Sequence, residues 1–244
     1  MKKLQILSDL HLDFPDNLVY LSKNPIIPSG DILICAGDCG HAYTVTKDFF
    51  KDLSPHYELI IVIPGNHCYY GKNKNDIVPF HDIDGNYHYL NNNVIYHGEY
   101  RFVCTTLWSP FEDHTRNSIA DCSEIEGFSP LEARILFGQN RDWLKETLSQ
   151  PWDGKTVVVS HHLPAKQCVN PFWETSGINS CFLGDCEDII HANKIDCWFF
   201  GHSHSHYNEL CGDTRLIDNP LGYVKYKENK CKINKFQHNL YVEI

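Results

Sequence analysis

The sequence predicts an α/β fold, and three features of it carry that reading. Five short apolar runs rich in Ile, Val or aromatic residues read as buried strands: Leu4–Leu7, Ile32–Ala36, Leu59–Ile63, Thr156–Val159 and Cys197–Phe200. Helical patterns stand between them, at Thr46–Leu53 and Cys186–Asn193. Strand–helix–strand alternation implies crossover connections and a sheet covered on both faces. Finally, each apolar run is followed at once by a polar cluster, and the carboxyl ends of strands are where α/β sheets bind ligands.

Two further strand pairs read as hairpins with short polar turns. One joins Val94–His97 to Arg101–Thr106 through Gly98-Glu99; the other joins Tyr207–Leu210 to Arg215–Asp218 through Cys211-Gly212-Asp213. The best-marked helix starts at Ser129, where an N-cap serine, Pro130 at the first helical position and a reciprocal Glu132 follow one another. Leu131, Ile135, Leu136, Trp143, Leu144 and Leu148 are expected to form its core-facing stripe. Residues 109–128 are polar, charged and poorly patterned, which suits a functional loop or partial lid. With no repeat, low-complexity tract or linker-like break, the expectation is one domain over residues 1–244 carrying that insertion.

Composition excludes several classes. Of 244 residues, 42% are hydrophobic and 21% charged, which is globular rather than disordered. No apolar stretch approaches the roughly 18 residues of a membrane span. Lys2 and Lys3 lead into too few apolar residues for a secretory signal, so a cytoplasmic location is expected. A net charge of −10 offers no basic field for a polyanion, and nucleic acid is not an expected partner. Eleven cysteines without paired spacing read as reduced thiols, and the absence of a C-x-x-C pair argues against a cysteine-built zinc site.

The five post-strand clusters are Ser8-Asp9-Leu10-His11, Gly37-Asp38, Gly65-Asn66-His67, Ser160-His161-His162 and Gly201-His202-Ser203-His204. Singly, each has an ordinary reading: Asp9 as a turn residue, Asp38 as a helix N-cap, His11 or His204 as surface or core histidines. Together they bring carboxylates and imidazoles to one cleft. That donor set suits divalent Mn, Fe or Zn rather than a soft ion, and a carboxylate can bridge two cations.

The ordered series Asp-x-His, Gly-Asp, Gly-Asn-His, His, Gly-His-x-His from Asp9 to His204 resembles the calcineurin-like metallophosphoesterases. Asn219-Pro220-Leu221-Gly222-Tyr223 is similar to a segment of many prokaryotic members. The resemblance implies a four-layer α/β/β/α sandwich. It also implies two divalent ions, one on Asp9, His11 and His204, the other on Asn66, His161 and His202, bridged by Asp38. A hydroxide held between them would attack the phosphorus of a phosphomonoester or phosphodiester of small or moderate size. His67 would be no ligand but would protonate the leaving oxygen.

The sequence also departs from that pattern. Cys39-Gly40-His41 follows Asp38 where protein phosphatases extend the motif with an arginine, and Cys68 follows His67 where many members have an acid. The first departure argues against protein-phosphatase activity; the second leaves the ligand set intact. Cys35, Cys39 and Cys68 read as small buried hydrophobes. Trp108, Phe111 and Trp173 suit either base stacking or packing. The alternatives to a phosphoesterase are a catalytically silent interaction scaffold of the same fold and a nuclease. Specificity is expected in residues 109–128 and 167–183.

Overall fold

The computed structural model describes residues 1–40, 43–76 and 80–244. The first half of the chain builds one sheet from β1 (Lys3–Leu7), β2 (Ile32–Cys35), β3 (Leu59–Val62), β4 (Phe80–Asp84) and β5 (Tyr87–Asn91). The second half builds another from β6 (Asn93–His97), β7 (Tyr100–Cys104), β8 (Lys155–Val159), β9 (Cys197–Phe200), β10 (Asn208–Cys211) and β11 (Thr214–Asp218). The last strand, β12 (Tyr241–Glu243), returns to the first sheet, antiparallel to β1. The orders are β12-β1-β2-β3-β5-β4 and β10-β11-β9-β8-β7-β6. Both sheets are parallel inside, with antiparallel strands at their edges.

Alternation along the strands produces the layers. Leu4, Ile6, Ile32, Ile34 and Ile61 of the first sheet face Phe102, Val157, Val159 and Phe199 of the second. Burying each such side chain stabilises the fold by about 1.5–3 kcal/mol. The opposite faces are covered by helices. Leu33, Cys35, Ile60 and Val62 pack under Leu21 of α1 (Pro15–Lys23) and Phe50 of α2 (Tyr43–Leu53). Val103, Val158, Trp198 and Phe200 pack under Leu144 and Leu148 of the long helix Pro130–Ser149 and Ile189 and Ile190 of helix Glu187–Ala192. The expected four-layer α/β/β/α sandwich is the fold observed.

Some local expectations change. The Ser129 hydroxyl caps its helix by accepting from the Glu132 N–H, but the Glu132 carboxylate is engaged by Lys74 at 2.5 Å. The buried side of that helix runs through Ala133, Asn140, Leu144 and Leu148, while Leu131 and Ile135 are exposed. At 100° per residue those two fall on the opposite face. The segment 109–128 contains a 3-10 turn, Asp113–Asn117, and one short helix, Asp121–Glu124. It is anchored by Phe111, Ile125 and Phe128 around Trp108. No helix among the described residues is long and apolar enough to cross a membrane. All eleven cysteines are free.

Candidate metal centre

The parallel strands of the two sheets end side by side; Ser8 N–H donates across to the Asn219 carbonyl at 3.1 Å, and within each sheet neighbouring post-strand loops are tied backbone to backbone. Asp9 N–H donates to the Gly37 carbonyl at 3.0 Å, His11 N–H to Asp38 at 2.9 Å and Gly201 N–H to His161 at 3.0 Å. Asp9, His11, Asp38, His202 and His204 all lie beyond the strands with φ between 45° and 74°. Left-handed conformations of this kind cost non-glycine residues about 1–3 kcal/mol each and persist only where their surroundings enforce them. The paired Asp-x-His and His-x-His residues thus share one cleft through left-handed turns. Period-two alternation of a strand, the ordinary expectation for such spacing, is not the cause.

Close approach dictates the glycines. At Gly37, with φ of 90°, a Cβ would collide with the His161 ring, and at Gly65 it would collide with the Asp38 carboxylate. Both positions let one loop seat a side chain of another.

The candidate residues meet in overlapping groups. Asp9, His11 and His204 bring their ligand atoms within 4.8 Å of one another, as do Asp38, His161 and His202, and also His11, Asp38 and His67. His204 Nε2 lies 3.1 Å from His11 Nε2 and 3.3 Å from Asp9 Oδ1. His161 Nε2 lies 3.1 Å from Asn66 Oδ1 and 3.2 Å from Asp38 Oδ2. All seven candidate ligands are therefore brought together. His67 stands beside them, its N–H donating to Asp38 Oδ1 at 3.0 Å and its Nε2 2.9 Å from the Tyr223 hydroxyl.

The far ends of these side chains fix which atom faces the centre. His161 Nδ1 donates to the Ala36 carbonyl at 2.9 Å, and His204 Nδ1 to Glu228 at 2.6 Å. His202 Nε2 donates to the Cys181 carbonyl at 3.2 Å, and Asn66 Nδ2 to Asp121 at 2.6 Å. Each residue is left with its other nitrogen or its amide oxygen turned toward its neighbours, the arrangement by which outer partners orient metal-ligating groups. This donor set of imidazoles, carboxylates and an amide oxygen fits divalent cations.

Electrostatics agree. Burial alone would depress both histidines, yet His161 is held up to about 9 by Asp38, and His204 up to about 10 by Asp9 and Glu228. Burial would raise Asp38, but His161, His67 and His11 hold it well below the usual carboxylate range. The two buried carboxylates thus draw positive charge into the centre. The Cys39 thiol is pushed well up by burial, and Cys68 up to about 12, so both stay neutral packing groups.

His162 is fully buried, its ring 4.2 Å from that of His202 and its Nδ1 3.4 Å from the Thr106 carbonyl. Trp108 and Phe111 are core residues, whereas Trp173 lines the cleft and is 46% exposed. His41 lies outside the described residues.

Sequence reasoning missed Asp121, Glu228 and Asn17. Asp121 also accepts the Tyr70 hydroxyl at 2.7 Å. Asn17 ties the Asp9 loop to the C-terminal segment through the carbonyls of Leu10 and Gly222 at 2.9 and 2.8 Å. None of the three has a spacing that announces it; the Gly222-Tyr223 motif just before Glu228 was the nearest signal.

A model of the calcineurin-like phosphoesterase family matches residues 3–206. An uncharacterized protein of Acanthamoeba polyphaga mimivirus is 26% identical over 272 residues, covering 94% of each chain. The solved phosphopantetheinyl hydrolase (PptH) of Mycobacterium tuberculosis superposes with a TM-score of 0.64 at 17% identity, covering 95% of this chain and 93% of the other. The chain belongs to the calcineurin-like phosphoesterase family and is a metal-dependent hydrolase of phosphoester bonds.

Proposed function

We propose that this phosphoesterase holds two divalent ions, one on Asp9, His11 and His204 and the other on Asn66, His161 and His202, with Asp38 shared between them. The observation that carries the reading is the set of outer partners, Ala36, Glu228, Cys181 and Asp121, which turn the ligand atoms inward. When bound, the ions supply an activated water and the charge that stabilises displacement at phosphorus.

The chain's own residues do the rest. Asp38, fully ionised by its histidine neighbours, keeps the two halves of the centre together. His67 is anchored by its backbone to Asp38 and faces the cleft, where it protonates the leaving oxygen. The Tyr223 hydroxyl against its Nε2 sets the ring plane, and stacking on Tyr70 at 4.2 Å fixes it from the other side.

The test is hydrolysis of aryl phosphates and aryl phosphodiesters by protein loaded with Mn²⁺. Chelation should abolish turnover and added Mn²⁺ restore it, with two ions bound per chain. A fully loaded protein that turns over nothing would be a metal-binding scaffold instead.

A further inference from the structure

The cleft beside the centre encloses about 480 Å³, far more than a phosphoryl group fills, so its walls describe the organic part of the substrate. Three segments build them. Residues 118–121 contribute Ile119; residues 167–183 contribute Trp173, Ile178 and Phe182; the C-terminal segment contributes Ile233. Trp173 is 46% exposed and meets Phe172, 71% exposed, edge to face at 4.7 Å. Large aromatics left uncovered at a cleft mouth mark a surface for an apolar group.

The charge of the walls narrows the class further. Among the described residues no Lys or Arg lines the cleft, and none of residues 41–44 or 77–84 is Lys or Arg. Apart from Asp38 in the centre, the acidic side chains facing it are Asp121 and Glu228, which accept hydrogen bonds and offer a phosphate oxygen no donor. A monoester dianion, or a nucleotide with further phosphates, would find no lysine or arginine here. A diester brings a single charge to the centre and a second organic group to the wall.

Resting on the phosphoesterase reading above, we infer that the substrate is a phosphodiester monoanion whose retained group is uncharged and apolar, seated against Trp173 and Ile178. Hydrolysis consumes one water: its oxygen bonds to phosphorus, the P–O bond to the leaving alcohol breaks, and the alcohol departs with a proton. The product is a phosphomonoester of the apolar group. It gains a second negative charge on losing its own proton to solvent, and a wall without cations lets it go.

The full chain loaded with Mn²⁺ is given four substrates with one leaving group: p-nitrophenyl phosphate, p-nitrophenyl phenyl phosphate, p-nitrophenyl methyl phosphate, and the p-nitrophenyl diester of a nucleoside bearing a second phosphate. The phenyl diester should lead each of the others in kcat/KM by about tenfold or more. Trp173→Ala should narrow the preference for the phenyl over the methyl diester by about tenfold, the scale of one aromatic contact. Ile178→Arg should instead improve the nucleoside diester with the second phosphate relative to the phenyl diester. As a readout without turnover, calorimetry with diphenyl phosphinate should show tighter binding than phenyl phosphate. A preference for the monoester or for the nucleoside diester with the second phosphate overturns this inference while leaving the phosphoesterase reading intact. Loss of all turnover and of metal-dependent binding sinks both.

Discussion

His204 Nδ1 donates to Glu228 Oε2 at 2.6 Å, and the same oxygen takes the Tyr223 N–H at 2.7 Å. One carboxylate from the C-terminal segment thereby aims an imidazole of another loop at Asp9 and His11. Glu228→Gln keeps the shape and removes the charge. Mn²⁺ affinity at one of two sites should fall about 10–100-fold, as it does when such outer carboxylates are lost. Calorimetric titration of the metal-free protein measures this. Unchanged affinity at both sites would assign Glu228 only to holding Tyr223 in place.

Much of this was legible in the sequence, for identifiable reasons. The inner strands are buried on both faces, so Ile32–Cys35 and Leu59–Val62 read as unbroken apolar runs. Strands β4 and β5, with sequences FHDID and YHYLN, carry no such run and were not expected. Helix α1 was missed because it buries little besides Asn17 and Leu21. The seven metal-centre candidates were legible since each directly follows a strand. Glu228 and Asp121 were not, because their contacts depend on how three loops fold back. The left-handed turns at Asp9 and His202 were equally invisible, as nothing in Asp-x-His or His-x-His distinguishes a turn from an extended pair.

Asp38 and His67 are one hydrogen bond apart, yet their substitutions should separate. Asp38→Ala removes the carboxylate shared by two groups of candidate ligands and should empty the centre. His67→Ala should keep both ions and lower kcat by about 10²–10⁴-fold, the usual worth of a positioned acid. Metal content by mass spectrometry beside the rate decides it. Equal metal loss in both variants would make His67 a ligand.

The adjacent His161 and His162 make a sharper pair. Both backbone N–H groups point at the Thr106 carbonyl, at 3.1 and 3.3 Å, while only the His161 ring reaches Asp38 and Asn66. The His162 ring packs between Trp108 and His202. His161→Ala should therefore lose an ion under loading that leaves His162→Ala with two. The reverse result would move the ligand one residue along.

Asp218 supplies a pH test of the fold, at a carboxyl that also feels the charge of Asp9. Its side chain is fully buried at the end of β11, where Oδ1 accepts the Tyr207 N–H at 2.7 Å and lies 3.4 Å from His206 Nδ1. Burial pushes its carboxyl up to about 7, against the pull of His206 and that N–H. A folded-state value above the unfolded one means the native protein holds its proton longer. The stabilisation is then complete below about pH 4 and lost as pH rises through about 7. Asp218→Asn keeps the acceptor and removes the ionisation. Its unfolding free energy should track the parent's at low pH and exceed it by roughly 2–4 kcal/mol above neutrality. Urea unfolding at both ends of that range measures the difference. Parallel curves for parent and variant would show that Asp218 titrates in the native protein as it does in the unfolded chain.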